Sequence, residues 1–490
     1  MNTRSLNTRQ LEFFKEVAQA AFANPFSMAR ATLDATLGGA AGAKGILPVD
    51  RMISAVRSEV EELAKRGVAD MRKHEGEARE LLRTAFLFDV FHRHMAALDR
   101  HIEEQVRAGD EPASVPFAPA LREDLQRHGF SSEASLHFLA VFFQIRRAFY
   151  FIARGLTGRS PCMRAFRERL WQNIFTRDIR WYDQYLTDRL EDFSTLLLGP
   201  TGAGKGAAAA AIGRSGFIPF DPRTGRFKES FTRAFIALNL SQYPESLIES
   251  ELFGHRKGAF TGAMDHHQGV FARCSSHGAI FLDEIGDVAI PVQIKLLQVI
   301  QERRFTPVGS HEPQRFSGRV IAATHRPLNE LRREGRFRDD FYYRLCSDVI
   351  EVPTLARRLA EDPGELELLL ERIVARIAGD GAPELVEDVV RALKREPGPG
   401  YDWPGNVREL EQAARQVILT GRYQPRAASR GDTMIGGPAG WRDGSWTAAQ
   451  LLAAYCRDLH DRFGTYEEVA RRTRLDRRTV KKYIEAESPG

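Results

Sequence analysis

Apolar residues recur at three- and four-residue spacing along the first 155 residues, which is the period of helices that bury one face. This spacing predicts helices over three stretches: Leu11 to Phe22, Met52 to Val68 and Leu81 to Val106. Glycine- and alanine-rich residues 38–45 and proline-containing residues 109–119 interrupt the pattern, so we expect loops there. Residues 1–155 are therefore predicted to form a mostly α-helical N-terminal domain.

The pattern changes after residue 155, where short apolar runs separate longer polar stretches. The polar stretch Thr176 to Phe193 is predicted to be a helix, and a further helical region starts at Pro353. Buried strands are predicted at Ser194–Leu198, Phe235–Leu240, Ala279–Leu282 and Arg319–Thr324. Strands and helices in this arrangement indicate an α/β domain.

The C-terminal part carries a linker and then a short helix pair. Residues 424–445 are rich in Gly, Pro, Ser and Arg and show no periodicity, which is typical of a linker. Helices are predicted at Thr465–Arg472 and Arg477–Ile484, with Asp476 capping the second. The segment from Thr465 to Ile484 contains seven basic and three acidic residues. Such a pair suits docking in the DNA major groove, but a basic helical tail alone is also typical of a solvated surface.

Length and composition set limits on the kind of protein. At 490 residues the chain is long enough for three domains. The net charge of +5 permits binding to nucleic acid without demonstrating it. The cysteines are far apart and form no CxxC pair, which argues against a disulfide framework or a zinc site: Cys162, Cys274, Cys346 and Cys456.

Two features bear on the compartment. Glu12 and Glu16 stand among the first apolar residues, which is unlike a secretory signal. The most apolar segment is interrupted by Gln144, Arg146 and Arg147, so we expect no membrane span and no membrane partner. We therefore expect a cytoplasmic protein.

A glycine-rich stretch with GxxxxGK spacing directly follows the first predicted strand. Its glycines allow successive backbone N–H groups to converge on phosphate oxygens, while the lysine neutralises the outer phosphates. The alanine-rich stretch that follows begins a helix whose positive end points at the same phosphates. The residues predicted to bind ATP are Gly199, Pro200, Thr201, Gly202, Ala203, Gly204, Lys205 and Gly206.

A later apolar strand ends in two carboxylates, the Walker B arrangement. Asp283 can hold Mg²⁺ directly or through water, and Glu284 can orient and deprotonate the attacking water. Gly206 stands where many P-loop proteins place a Ser or Thr ligand for Mg²⁺, so the metal has to rely on Asp283. We therefore predict ATP and Mg²⁺ as cofactors.

A six-residue string between these two motifs reads GAFTGA. Two glycines make it a poor helix and a poor strand, as expected of a mobile loop tip. A phenylalanine there should be buried by something else, because large apolar side chains gain by burial. The residues are Gly258, Ala259, Phe260, Thr261, Gly262 and Ala263. The string resembles the signature loop of bacterial enhancer-binding proteins, AAA+ ATPases that activate sigma-54 RNA polymerase, and so implies that these residues contact sigma-54.

The resemblance extends over residues 156–422 and implies an AAA+ fold with a parallel sheet core. It divides the region into an α/β ATPase subdomain, residues 156–352, and a helical lid, residues 353–423. It implies that Asn239 holds the catalytic Glu284 away from water until the partner is engaged. It also implies that Thr324 occupies the sensor I position and that Arg408 contacts the nucleotide from the lid.

Arginine fingers are a further implication. Arg338 and Arg344 match two arginines that reach the γ-phosphate of a neighbouring subunit, which implies a homo-oligomeric ring, a hexamer or a heptamer. Two positions depart from the family pattern. His325 stands where Asn is usual, so we expect γ-phosphate sensing to be altered, and Gly206 stands where Glu is usual.

After such an ATPase, residues 446–490 resemble the family's Fis-like helix-turn-helix DNA-binding domain. The residues implied to contact double-stranded upstream DNA are Arg477, Arg478, Thr479, Lys481 and Lys482. The chain is accordingly predicted to be a transcriptional activator that hydrolyses ATP to remodel the sigma-54 RNA polymerase holoenzyme into an open promoter complex. Residues 1–155 gain nothing from the resemblance, and we expect a regulatory or sensor domain for an unknown signal or ligand.

Two other functions stay open. An AAA+ protein-remodelling ATPase with another target would need an aromatic pore loop, but neither GAFTGA nor a DNA-binding tail. A DNA-binding repressor with an inactive ATPase is favoured by His325 and Gly206 alone. Five residues argue against that repressor: Lys205, Asp283, Glu284, Arg338 and Arg344.

Overall fold

The computed structural model describes residues 6–37, 47–187, 189–379, 381–425 and 447–485. They form two compact units, which divide between Tyr423 and Gln424. The loop predicted at residues 38–45 lies outside the described residues, as does the predicted linker beyond Pro425. Each unit is described separately.

Helices occupy the first part of the larger unit, as predicted. Their bounds are α1 (Thr8–Phe22), α2 (Met28–Leu37), α3 (Pro48–Lys65), α4 (Gly76–Ala108), α5 (Ala118–Arg127), α6 (Ser132–Gly155), α7 (Pro161–Phe175) and α8 (Ile179–Trp181). The predicted loop at residues 109–119 separates α4 from α5. Ser131 caps α6, since its side chain accepts a hydrogen bond from the Ala134 N–H group.

The prediction of one helix over residues 176–193 is wrong. Thr176 has a φ of 63°, which ends the preceding helix, and the Asp178 side chain caps the very short α8. A π-helical turn over Tyr182–Leu186 and a 3₁₀ turn over Leu190–Asp192 follow. The backbone break at Thr176 separates this segment from α7, and the segment itself consists of short turns of different types.

The predicted strands form a parallel sheet. The next elements are β1 (Thr195–Leu198), α9 (Lys205–Gly213), β2 (Phe220–Asp221), β3 (Arg226–Phe227), β4 (Phe235–Asn239), α10 (Glu245–Phe253), α11 (Val270–Arg273), β5 (Ala279–Asp283), α12 (Ile290–Glu302), β6 (Arg304–Phe305), β7 (Gln314–Arg315), β8 (Arg319–Thr324), α13 (Leu328–Arg333), α14 (Asp339–Leu345) and β9 (Asp348–Glu351). The five-stranded sheet has the order β4-β5-β8-β1-β9, with all neighbours parallel. The carboxyl ends of its strands therefore meet at one edge, where ligands bind in such sheets.

A helical lid follows the sheet. It consists of α15 (Leu355–Glu361), α16 (Glu365–Ala378), α17 (Pro383–Arg395) and α18 (Asn406–Thr420). Its apolar core includes Leu370, Val389, Trp403 and Leu410. Sheet, lid and flanking helical regions confirm the predicted fold class, an α/β AAA+ architecture with a mostly helical N-terminal region and a small all-α C-terminal region.

The N-terminal helices share apolar cores with the ATPase region. Phe220, Phe227 and Phe231 belong to the same buried cluster as side chains of α1 to α6. The ring of Phe143 on α6 stacks on Phe227 at a centroid distance of 4.1 Å. The boundary predicted at residue 155 lies inside this single unit and stays a prediction.

Helix α6 is long and apolar enough to cross a membrane by length and composition alone. From the sequence we expected its polar residues to exclude a membrane span, and on composition alone they do not. Its surroundings are nevertheless those of a core helix. Of its most apolar window, 56% is buried inside the fold. Gln144 and Arg147 are fully buried there and bond to other protein groups. Burial thus accounts for its apolar character.

The smaller unit contains α19 (Ala448–Phe463), α20 (Tyr466–Thr473) and α21 (Arg477–Glu485). Cys456, Leu459, Val469 and Val480 form its core. Both predicted helices of the pair are present within one residue of their expected ends.

Candidate functional site

The GxxxxGK stretch forms a loop between β1 and α9, as predicted. The Lys205 amino group lies inside it and donates hydrogen bonds to the carbonyl oxygens of Gly199, at 2.9 Å, and Pro200, at 3.3 Å. Lys205 is buried and begins α9, so the helix N-terminus faces the same loop. Gly206 lies exposed in the first turn of α9, where an added Cβ atom would have no neighbour within 4 Å. The arrangement fits a polyphosphate.

Charges converge at the carboxyl edge of the sheet. Burial lowers the pKa of Lys205, while the carboxylates of Glu284 and Asp283 partly offset that change, and Arg408 adds to it. Burial and the neighbouring Glu284 raise the pKa of Asp283, against the opposing effect of Lys205. The sheet thus brings Lys205, Asp283 and Glu284 together as predicted. A divalent cation at Asp283 would favour its ionised form.

The lid contacts the P-loop directly. The Val407 N–H group donates to the Gly202 carbonyl at 3.1 Å. A Cβ atom at Gly202 would lie 2.3 Å from the Gly405 carbonyl oxygen, and its φ of 79° also requires glycine. Arg408 is exposed at this junction, and its Cβ lies 2.9 Å from the position that a Cβ atom at Gly202 would take. Arg408, the predicted nucleotide contact from the lid, therefore lies beside the P-loop.

Asn406 connects lid and P-loop, a role that spacing alone does not reveal. Its amide donates to the Thr201 carbonyl at 3.2 Å and its Oδ1 accepts from the Leu355 N–H group at 2.9 Å. It is buried and has a φ of 53°, which asparagine tolerates better than most residues. Asn406 thereby connects Leu355, the first residue of α15, with the P-loop.

His325 forms a hydrogen bond with Glu284, the predicted catalytic residue, whereas Asn239 bonds to Ser241. The Nδ1 atom of His325 lies 2.7 Å from Glu284 Oε2, and its backbone N–H group lies 3.4 Å from the same oxygen. Asn239 stands opposite Asp283 in the sheet register, but its Oδ1 accepts bonds from Ser241. The role expected for Asn239 therefore stays a prediction, without a contact to Glu284 in this structure.

Thr324 ends β8 and joins the P-loop through the backbone. Its carbonyl accepts a long hydrogen bond of 3.4 Å from the Gly199 N–H group. Its hydroxyl is fully buried and accepts from the Arg326 N–H group at 3.1 Å. The hydroxyl of the proposed sensor thus supports the turn after the strand.

The two predicted arginine fingers lie at and in α14. Arg338 occupies the N-cap position of α14, and its guanidinium is paired with Asp340 through bonds of 3.0 and 2.7 Å. Arg344 is exposed one to two turns later. Exposed pairs of this kind contribute about 0–1 kcal/mol, so Arg338 can exchange its partner at small cost.

The GAFTGA residues form the tip of a closed loop, residues 255–267, which we call the GAFTGA loop. His255 and His267 exchange two backbone hydrogen bonds of 3.0 Å at its base. Inside it, the Gly258 N–H group donates to the Ala263 carbonyl at 2.8 Å, and Gly262 has a φ of 100°. The loop is inserted between β4 and β5, which carry Asn239 and Asp283 at their carboxyl ends.

Phe260 and Thr261 are exposed at this tip. The Phe260 side chain is 38% exposed and packs edge-on against the His255 ring at a centroid distance of 4.9 Å. The His255 Nδ1 atom lies 2.7 Å from the Ser250 hydroxyl on α10. The aromatic side chain is therefore only half covered, as expected of a group that another molecule buries.

A second segment supports the GAFTGA loop, and sequence spacing gave no sign of it. Arg256 N–H donates to the Val308 carbonyl at 3.0 Å, and Val308 N–H donates to the Gly254 carbonyl at 2.9 Å. Gly309 faces Ala259 so closely that a Cβ at Gly309 would lie 2.7 Å from the Ala259 Cβ. The segment between β6 and β7 therefore holds one side of the loop.

Side chains of helix α6 form hydrogen bonds at the C-terminal end of α9, the helix that follows the P-loop. The Arg147 guanidinium donates to the carbonyls of Arg214, at 2.9 Å, and Gly216, at 2.7 Å. Gln144 donates to the Ser215 carbonyl at 2.9 Å. These groups pair the otherwise free carbonyls at the end of α9, where the helix dipole also favours a positive charge. Burial lowers the pKa of Arg147 to about 9, which leaves it charged at neutral pH.

The C-terminal unit places the predicted DNA-binding residues on α21. Asp476 caps this helix, since its carboxylate accepts from the N–H groups of Arg478 and Thr479. Arg477 pairs with Glu467 at 2.9 Å and Lys481 pairs with Glu485 at 3.6 Å. Arg478 and Lys482 are exposed on the same helix. Helix pair and basic second helix are thus present, while DNA contact stays a prediction.

Comparisons with known proteins agree with this geometry. Residues 180–351 match the family model described as the Sigma-54 interaction domain. The DNA-binding transcriptional regulator NtrC of Azospirillum brasilense is 37% identical over 264 residues, which are 54% of this chain and 47% of that protein. The Nif-specific regulatory protein of Azotobacter vinelandii is 40% identical over 274 residues, 56% of this chain and 46% of that protein.

The chain spans about half the length of the curated relatives that it matches. Among solved structures, NtrX from Brucella abortus covers 74% of this chain and 78% of its own, with a TM-score of 0.40 and 20% identity. The matched segment contains the P-loop, the Walker B strand and the GAFTGA loop. Residues 180–351 are therefore similar to the Sigma-54 interaction domain.

Proposed function

We propose that this protein is a sigma-54-dependent transcriptional activator that hydrolyses ATP and uses the GAFTGA loop to remodel the sigma-54 RNA polymerase holoenzyme into an open promoter complex. One observation carries the proposal. The complete GAFTGA string lies at an exposed tip, and its loop is inserted between the strands that end in Asn239 and Asp283. A change at the nucleotide site can therefore reach the loop through β4 and α10.

Hydrolysis is assigned to the groups at the carboxyl edge of the sheet. Lys205 neutralises phosphate charge, and Asp283 holds Mg²⁺ directly or through water. Glu284 orients the attacking water and accepts its proton. Bound ATP and Mg²⁺ supply the phosphoryl group and the charge that polarises it. Arg408 contacts the nucleotide from the lid.

Assembly as a ring follows from the arginine fingers. The Arg338 side chain is 40% exposed and Arg344 is exposed, so a neighbouring subunit's nucleotide can be reached from α14. A guanidinium at the γ-phosphate stabilises charge in the transition state and is worth about 10³–10⁵ in rate in other phosphoryl-transfer enzymes. A hexamer or a heptamer satisfies this requirement.

The flanking regions complete the proposal. The smaller unit binds double-stranded upstream DNA through α21, which holds the activator near the promoter. Residues 1–155 regulate the ATPase in response to a signal, and α6 is the element through which they act on the P-loop helix. The protein works in the cytoplasm, where promoters and polymerase are.

The test is open-complex formation at a sigma-54 promoter by the full-length protein with ATP. Thr261→Ala should keep ATPase activity near the wild-type rate and lose open-complex formation, because Thr261 is exposed at the tip of the GAFTGA loop and is not one of the groups assigned to hydrolysis. Glu284→Gln is the matched control, since it should lose both activities.

Normal activation by Thr261→Ala would remove the GAFTGA loop from the mechanism. Absence of ATP turnover in the wild-type protein, with DNA binding retained, would instead favour a repressor with an inactive ATPase.

A further inference from the structure

The catalytic glutamate is held by a histidine in this protein. His325 Nδ1 lies 2.7 Å from Glu284 Oε2. Because an ionised carboxylate can only accept, the imidazole donates its Nδ1–H to that oxygen. The Glu284 side chain is 14% exposed and the His325 side chain is 42% exposed. The carboxylate is therefore largely covered, whereas the imidazole is partly open to solvent.

The backbone fixes both partners of this contact. Glu284 has φ and ψ of 58° and 45°, the left-handed conformation that few side-chain-bearing residues adopt. Its N–H group donates to Asp283 Oδ1 at 3.1 Å. His325 directly follows Thr324, whose carbonyl accepts from the Gly199 N–H group of the P-loop. The imidazole is thus placed one residue from a backbone link to the phosphate-binding loop.

Asn239 is directed elsewhere. Its Oδ1 accepts from the Ser241 N–H group at 3.0 Å and from the Ser241 hydroxyl at 2.8 Å. Those two bonds cap the turn that follows β4. An amide so engaged has to give up local bonds before it can reach a carboxylate, whereas His325 is already in place.

We propose that His325 is the positioning residue that keeps Glu284 in its resting orientation and thereby holds the basal rate of ATP hydrolysis low. The inference rests on the proposed ATPase function. While Oε2 accepts the imidazole hydrogen bond, that oxygen has less capacity to accept a proton from water. Movement of the imidazole frees it. The link from Thr324 to Gly199 connects this movement with occupancy of the P-loop.

The chemistry suggests a sharp set of variants. In asparagine, Nδ2 is attached to Cγ just as Nδ1 is in histidine, so His325→Asn keeps a donor at almost the same place. His325→Ala removes the donor without adding bulk. His137→Ala is the matched control, because His137 Nε2 lies 2.6 Å from Asp183 Oδ1 at a comparable exposure outside the nucleotide site.

The full-length protein is assayed for steady-state ATP hydrolysis and for binding of a fluorescent ATP analogue. His325→Ala should raise the basal kcat about tenfold, the rate equivalent of one hydrogen bond to a charged group. KM and analogue affinity should stay at wild-type values. His325→Asn should restore the low basal rate, and His137→Ala should match the wild type.

Three results would overturn the inference: an unchanged basal kcat in His325→Ala, a fall in kcat, or a larger rise from Asn239→Ala than from His325→Ala. A joint change in KM and in the urea midpoint would also overturn it, because it would make His325 a structural residue. Lack of turnover in the wild type would instead refute the proposed function. The two failures are therefore distinguishable.

Discussion

Replacing Glu365 with alanine should loosen the lid from the segment that leads into the ATPase region. The carboxylate of Glu365 is fully buried, and its Oε1 accepts from the N–H groups of Arg159, at 3.1 Å, and Ser160, at 2.9 Å. Its Oε2 accepts from Arg358 Nη2 at 2.8 Å. The Arg358 side chain is only 4% exposed, and its other acceptor is the Thr157 carbonyl. Removing the carboxylate leaves a buried charge without its counter-charge.

The expected loss in the free energy of unfolding is about 3–5 kcal/mol, the cost of breaking one partner of a buried ion pair. Urea unfolding followed by tryptophan fluorescence measures it, because Trp403 lies in the lid core. Asp388→Ala is the control. Its partner is Arg391, the two side chains are 67% and 72% exposed, and such pairs contribute about 0–1 kcal/mol. Equal losses from Glu365→Ala and Asp388→Ala would refute the reasoning.

The remaining predictions concern pH, catalysis, the N-terminal helices and DNA. Burial would raise the pKa of Glu365, but its hydrogen bonds outweigh that effect and lower it from the ordinary 4.5. The stability that it contributes should therefore be full above that pH and disappear as pH falls through the lowered pKa; a difference between wild type and Glu365→Ala that persists in acid would contradict this. Glu284→Gln should bind a fluorescent ATP analogue normally and lose about 10²–10⁴ in kcat; retained phosphate release would show that another residue positions the water. Arg147→Met should lower the free energy of unfolding by about 2–4 kcal/mol, since two buried carbonyls lose their donor, whereas Arg154→Met on the exposed side of α6 should change it little; similar urea midpoints would disprove the α6 contact. Lys482→Ala should reduce the slope of log affinity for DNA against log salt by the equivalent of about one phosphate contact. An unchanged slope would refute a contact between Lys482 and a DNA phosphate.

The motifs that carry the chemistry could be predicted because each is a local pattern. Lys205 and the glycines around it form one turn between a strand and a helix, and Asp283 ends one strand. GAFTGA is likewise contiguous. Sequence reasoning thus reached four strands of the sheet and its motifs, whereas the strand order β4-β5-β8-β1-β9 comes from the structure.

Contacts between distant segments were beyond that reasoning. Glu365 lies in no motif, yet it is buried, and its carboxylate accepts hydrogen bonds from Arg358 and from the backbone of Ser160. His325 was recognised as a departure from the family pattern, but only the structure shows that it faces Glu284. The single helix expected over residues 176–193 failed because propensity does not reveal a positive φ at Thr176.

The shared apolar core has a consequence for the order in which the chain is made. The helices α1 to α6 are synthesised first, but Ile218, Phe220, Phe227 and Phe231 complete their buried cluster. A nascent chain that has reached residue 155 therefore still exposes apolar faces that its own helices cannot cover. Those faces close only after β1, the P-loop and α9 have left the ribosome. Folding of the first third of the protein must wait for the nucleotide-binding segment, so a chain released before Phe231 should be a target for chaperones or proteases.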